Sequence, residues 1–192
     1  MTLRHRARLA TPVLLYGEHM AATFTAAFLG VTFGNNKSMA GVFNGSGSGV
    51  ILRIKRIWIL NNQTSAVTGV LTTFSMRRST AQSAGTAVTP VKHDTSSANL
   101  PAQVLVAHGA TVTSATADTL RNWVWSNDEP AASAGTSDEF ECLVPLNCVW
   151  DAATGDTDIE PLVLREGYGV DVRHSGSSTV GVCDVFIEFT SV

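Results

Sequence analysis

The chain carries few charged residues for its length. Only 15% of its 192 residues are Asp, Glu, Lys or Arg, whereas soluble domains usually contain about 25%. The net charge of −3 lacks the basic excess that phosphate binding requires, so it argues against specific nucleic-acid binding. No apolar run approaches the ~20 residues that span a bilayer, so we expect no membrane-spanning helix.

Cysteine is equally scarce. Cys142, Cys148 and Cys183 are the three cysteines, too few for a disulfide framework. They also lack the close cysteine pair and the fourth ligand that a zinc site requires. We therefore interpret all three as buried free thiols that act as small hydrophobic side chains.

Strand patterns fill the chain in place of long helical ones. Val50–Leu60 alternates apolar and polar residues up to Arg56 and is apolar after it, which indicates either a bulge or a change from a half-buried to a fully buried strand. Val67–Arg77 alternates as well, and the short polar turn before it predicts a hairpin between these two strands. In Thr179–Thr190, one face is apolar: Cys183, Val185, Ile187 and Phe189.

Eight or more such strands without crossover helices predict an all-β fold, a single antiparallel β-sandwich that resembles a jelly roll. The length fits one domain, which we place at residues 23–192. Residues 1–22 have no clean period and are assigned to an N-terminal arm. Pro12 interrupts the apolar run of this arm, so no cleavable signal peptide is expected. The arm is expected to contact a partner through five residues: Arg4, Arg6, Arg8, Leu14 and Tyr16.

Four segments resemble virion proteins of tailed bacteriophages: Leu52–Thr64, Leu71–Arg78, Glu160–Val172 and Phe186–Phe189. The resemblance is to β-sandwich head decoration (cement) proteins and extends over roughly residues 49–189. It implies a homotrimer on the capsid exterior, bound to the major capsid protein, with an arm that clamps neighbouring capsomers. It also implies synthesis in the host cytoplasm. The family has no sharp site motif, so no functional residue is transferred.

The densest group of carboxylates offers a candidate calcium loop, formed by Asp151, Asp156, Asp158 and Glu160. Hard cations bind several oxygen ligands from one loop. The spacing is not that of an EF-hand, and a solvated acidic loop is the favoured interpretation. We expect neither a metal nor a cofactor.

Histidines and glycines give two further candidates. His93 and Asp94 could form an acid–base pair for a hydrolase, but no nucleophile elbow accompanies them. The loop Gly45–Gly49 could cradle a phosphate, but it precedes a strand rather than the helix N-terminus that such a site needs. A cupin-like enzyme would require a His-x-His spacing, and the sequence has none. We therefore expect no enzymatic activity.

Trp123 and Trp125 lie two residues apart, so in a strand they share one face. Flat indole rings can stack on sugars, but sandwich cores also use tryptophan, and the core is favoured. Two functions thus remain: a capsid decoration protein, and a carbohydrate- or receptor-binding module of a phage tail or baseplate.

Overall fold

A computed structural model describes residues 21–62, 70–114, 116–127, 148–152, 160–177 and 180–192. The predicted arm therefore lies outside the described residues, apart from its last two positions. The strands are β1 (Ala22–Thr32), β2 (Ser38–Asn44), β3 (Leu52–Asn61), β4 (Val70–Ser79), β5 (Ala81–Ser83), β6 (Thr86–Ala87), β7 (Val91–Lys92), β8 (Val104–His108), β9 (Thr111–Thr113), β10 (Thr119–Asn127), β11 (Cys148–Asp151), β12 (Leu162–Leu164), β13 (Tyr168–His174) and β14 (Val182–Ser191). One short 3₁₀ turn, Thr116–Asp118, precedes β10.

Two large antiparallel sheets form the sandwich. Sheet A has the order β11-β3-β14-β1-β7, with β12 also paired to β3, and sheet B has the order β10-β4-β13-β2-β8-β6. The first four strands pair with the last strands in reverse order: β1 with β14, β2 with β13, β3 with β12 and β11, and β4 with β10. This nested pairing is that of a long ribbon rolled into two sheets, which is a jelly roll. The predicted all-β sandwich is confirmed.

The predicted hairpin between the third and fourth strands is wrong. β3 pairs with β14, β11 and β12 in sheet A, whereas β4 pairs with β10 and β13 in sheet B. The connection therefore crosses from one sheet to the other. Burial of apolar side chains on facing sheets, which a local turn pattern does not encode, decides this topology.

The core lies between the sheets, where the predicted alternation holds. The four residues of the predicted apolar face of β14 are fully buried: Cys183, Val185, Ile187 and Phe189. In β3 the structure decides between the two predicted explanations in favour of a bulge, because Ile54 pairs with Phe189 while Arg56 pairs with the adjacent Glu188. The extra residue shifts the phase of the strand. Leu52 and Ile54 are buried before it, and Ile57 and Ile59 are buried after it.

A small two-stranded sheet, β5 with β9, lies against sheet B, where Val112 O accepts a hydrogen bond from Arg173 and Gln82 contacts Gly41. The outward residues of β13 beneath it are polar yet buried. Asp171 accepts hydrogen bonds from Ser38 Oγ at 2.6 Å and from Arg173 Nε at 2.8 Å. Burial raises the pKa of Asp171, and Arg173 and Ser38 counteract that rise.

Within the described part of the chain, no helix has the length and apolar character needed to cross a membrane.

Candidate interaction surface

The outer face of sheet A carries an apolar row that runs straight across four strands. The register aligns Ala27 of β1 with Phe186 of β14, Phe186 with Trp58 of β3, and Trp58 with Cys148 of β11. All four side chains are half-buried. They point outward because their neighbours along each strand fill the core. Next to the row, the side chain of Leu29 is 61% exposed.

A polar row runs beside it, formed by Thr25, Glu188, Arg56 and Asp151. Arg56 lies between two carboxylates, 3.4 Å from Asp151 Oδ1 and 3.7 Å from Glu188 Oε2. These pairs are partly exposed and add little stability. On the surface, these ion pairs hold opposite charges together beside the apolar row. Trp, Phe and Arg are residue types enriched at protein interfaces, in arrangements of an apolar centre and a polar rim.

A cavity of about 560 Å³ opens at one edge of the sandwich, where β1 and β7 of sheet A meet β6 and β8 of sheet B. Its walls are mainly apolar, and its volume falls within the range of ligand pockets, about 300–1,000 Å³. The principal apolar lining comes from Phe24, Val88, Pro90, Leu100, Val104 and Leu105.

Gln82 also lines this cavity. Its side chain is 6% exposed, and among the described residues neither Oε1 nor Nε2 has a hydrogen-bond partner. The amide sits against Gly41, where an added Cβ would lie 2.5 Å from Oε1. A buried amide without partners is costly. Both atoms are shielded by the protein, so a bound group could pair with this amide only after the side chain turns toward the cavity.

The structure separates the members of the candidate calcium loop that it describes. Asp151 is paired with Arg56, whereas Glu160 lines a shallow recess with Arg78, Arg165 and Tyr168. Asp156 and Asp158 lie outside the described residues. No cluster of three potential metal ligands occurs within the described ranges.

His93 and Asp94 do not form the acid–base pair considered from the sequence. His93 Nε2 lies 2.8 Å from Thr25 Oγ1. Asp94 accepts hydrogen bonds from the backbone N–H and the hydroxyl of Ser96, and these lower the pKa of Asp94. The two side chains thus have separate structural partners.

The glycine loop binds a carboxylate of its own chain. The backbone N–H groups of Gly47 and Gly49 donate to Glu166 at 3.1 and 2.8 Å. Both glycines have positive φ angles, 79° and 71°, which side-chain-bearing residues adopt at a cost. These hydrogen bonds lower the pKa of Glu166. The N–H groups that could cradle a phosphate are therefore occupied.

Trp123 and Trp125 pack against the core, as favoured from the sequence. The ring of Phe74, which is fully buried, stacks on Trp123 at 5.8 Å and meets Trp125 edge-on at 5.9 Å. Both indole nitrogens are buried. The two indole rings that suggested sugar stacking are thus partly buried against the sandwich core.

The two described cysteines are free thiols. Burial raises the pKa of the Cys183 thiol to about 12, and burial also raises the pKa of the half-buried Cys148. The prediction of a buried free thiol is thus confirmed for Cys183, whereas Cys148 is only half-buried on the outer face of sheet A. Cys142 lies outside the described residues.

Sequence reasoning missed the apolar row and the cavity. Phe186 was the available signal for the row, since it stands between Asp184 and Glu188 on the polar face of its strand. The cavity depends on weak strands and loops of residues 79–108, whose polar and small residues gave no comparable signal.

Comparison with known proteins identifies no relative of this chain. No family model, no curated protein and no solved structure matches the chain significantly.

Proposed function

We propose that this protein is a structural virion protein of a tailed bacteriophage, a decoration protein that binds the outside of the capsid and associates with copies of itself. The observation that carries the proposal is the apolar row Ala27–Phe186–Trp58–Cys148 on the outer face of sheet A. Together with the charge-paired row beside it, it has the composition of a protein-binding face. The sequence resemblance supports the capsid as the partner, and fold-level analogy agrees because jelly rolls are frequent in capsids.

Particles released by cells that produce this chain test the proposal. We expect the chain to sediment with the particles through a density gradient, in many copies per particle, as counted by quantitative mass spectrometry. A chain that stays in the soluble fraction, or one present in only a few copies, contradicts a decoration role.

Two variants then locate the binding face. Trp58→Arg places a charge in the apolar row, and we expect it to lower particle occupancy, because a buried unpaired charge opposes binding. Val124→Arg is the matched control, since Val124 is 64% exposed on β10 of the other sheet. Equal occupancy by both variants would rule out the apolar row as the contact.

Receptor binding is the second candidate, favoured by the recess next to Tyr168. Tyr168 is 48% exposed and shares this recess with Arg78, Glu160 and Arg165. An exposed ring beside charged hydrogen-bonding groups suits a sugar. Glycan-array binding that is lost in Tyr168→Ala but kept in Trp125→Ala would favour this function.

A further inference from the structure

We infer that the edge cavity is a docking site for the N-terminal segment Leu9–Tyr16 of a second copy of this chain. The inference deepens the proposed function, since it rests on the self-association that this function includes. It names both the site and the segment through which the copies are joined.

The cavity is suited to a peptide rather than to an ion. Its walls are mainly apolar, which favours hydrophobic side chains. The unpartnered amide of Gln82 carries N–H donors and a carbonyl acceptor, which would complement a peptide group once the side chain turns toward the cavity. An extended segment could satisfy both while its apolar side chains fill the cavity, as in other modes of peptide recognition.

Leu9–Tyr16 has matching chemistry. The segment reads LATPVLLY, which contains no charged residue. Pro12 favours an extended conformation for the residue before it. Leu14 and Tyr16 can serve as anchors, because large apolar and aromatic side chains contribute most per residue when they are buried.

The described part of the chain begins close to the cavity, so the segment that precedes it is attached near the cavity wall. The described residues start at Ala21, and Phe24, three positions later, is part of the cavity wall. The segment Leu143–Leu146 is also apolar, but it belongs to the connection between β10 and β11. Those strands form the opposite edges of the two sheets.

Strand direction favours a second copy over the same chain. β7 runs antiparallel to β1, with Val91 opposite Thr25 and Lys92 opposite Phe24. Val88–Pro90 of the cavity therefore lie alongside the part of β1 that follows Thr25, so the chain that precedes Ala22 leads away from them. For Leu9–Tyr16 to reach Val88–Pro90 within one chain, the chain would have to turn back between Tyr16 and Ala22. An exchange between copies needs no such turn, and it is closed by symmetry when each copy supplies one segment and receives one in its cavity.

Photo-crosslinking with isotope mixing tests the inference on the full chain. A benzophenone amino acid replaces Leu14, and equal amounts of ¹⁴N- and ¹⁵N-labelled protein are mixed before irradiation. We expect cross-linked peptides with mixed labels that join the segment to the cavity residues. Cross-links with uniform labels only, cross-links elsewhere on the surface, or none at all would overturn the proposal.

Filling the cavity provides a second readout. Ala87 is exposed and lines the cavity, so Ala87→Trp can occupy the space without entering the core. We expect at least a tenfold weaker self-association by light scattering, and a smaller loss for Gln82→Leu, about three- to tenfold for one hydrogen-bonded group. Val124→Trp on the opposite edge is the control and should associate normally. Unchanged association of Ala87→Trp would overturn the inference.

These outcomes are separate from those of the particle experiment. Loss of association in Ala87→Trp, combined with wild-type protein that never sediments with particles, would refute the virion function and leave the docking site standing. If the protein sediments with particles but gives no mixed-label cross-links, the docking site is refuted and the virion function stands.

Discussion

His174 should make the folding stability of this protein sensitive to mild acid. Its side chain is fully buried, although the ring carries two polar nitrogens. Nδ1 lies 2.8 Å from the carbonyl oxygen of Gly34 and Nε2 lies 2.7 Å from Thr72 Oγ1. The ring stacks on Phe33 at 4.9 Å and meets Phe74 edge-on at 5.4 Å. A neutral ring that donates from Nδ1 and accepts at Nε2 satisfies both partners.

Burial lowers the pKa of His174 from its ordinary value of 6.5. The unfolded chain therefore binds a proton at a higher pH than the folded one does. The contribution of His174 is fully present above about pH 6.5, and it is lost as the pH falls toward the folded pKa. Burial lowers the pKa of His108 too, so a variant is needed to isolate the part that belongs to His174.

The variant His174→Phe keeps a ring of similar size between the two phenylalanines but removes both hydrogen bonds. Each orphaned buried group costs about 1–3 kcal/mol, and Gly34 is only half-buried. We therefore expect a loss of about 2–4 kcal/mol in the free energy of unfolding. Adding Thr72→Val should recover part of this loss, because it removes the orphaned hydroxyl.

Urea unfolding at pH 7.5 and at pH 5.5 measures both effects. Wild type should be less stable at pH 5.5, and His174→Phe should show a smaller difference between the two pH values. The reasoning is refuted if wild-type stability is equal at both pH values, or if His174→Phe costs less than about 0.5 kcal/mol.

Four further predictions concern the rest of the fold. Cys183 should react with a thiol reagent only after denaturation, because burial raises its pKa to about 12; labelling of this thiol in the native protein would contradict that. Glu166→Gln should speed amide hydrogen exchange at Gly47 and Gly49, whose N–H groups donate to the carboxylate; unchanged exchange would show that the carboxylate does not hold the loop. Gly169→Ala should lower the free energy of unfolding by about 1–3 kcal/mol in urea titrations, since the new Cβ would lie 2.7 Å from the carbonyl oxygen of Val42; wild-type stability would contradict the tight packing there. Deletion of residues 1–22 should leave the circular dichroism of the β-domain intact and weaken self-association; a chain that fails to fold would show that this segment is part of the sandwich.

The periodicity of the sequence predicted where the strands lie and which faces are buried better than it predicted which strands pair with each other. The alternation in Thr179–Thr190 identified the buried face of β14, and the change of pattern after Arg56 located the irregularity in β3 that the structure shows to be a bulge. Both features are local, because side-chain direction follows the period of the strand. The pairing of β3 depends on β14, more than 120 residues away in sequence. A single sequence carries no direct signal for such a contact.

The candidate sites failed for a related reason. His93 and Asp94 are adjacent in sequence, yet their partners are Thr25 and Ser96. His174 gave no local sign that it would be buried, since Arg173 precedes it and Ser175 follows it. Which polar residues meet is decided by sheet packing, whereas Trp123 and Trp125 could be assigned to the core because their spacing and their aromatic character agree.

A cryo-EM map of particles from the producing cells tests the central claim most directly. We predict regularly spaced density outside the capsid shell into which the two-sheet jelly roll fits, with the outer face of sheet A toward the capsid. Shells that lack this density, or density confined to the tail, would contradict the assignment as a capsid decoration protein.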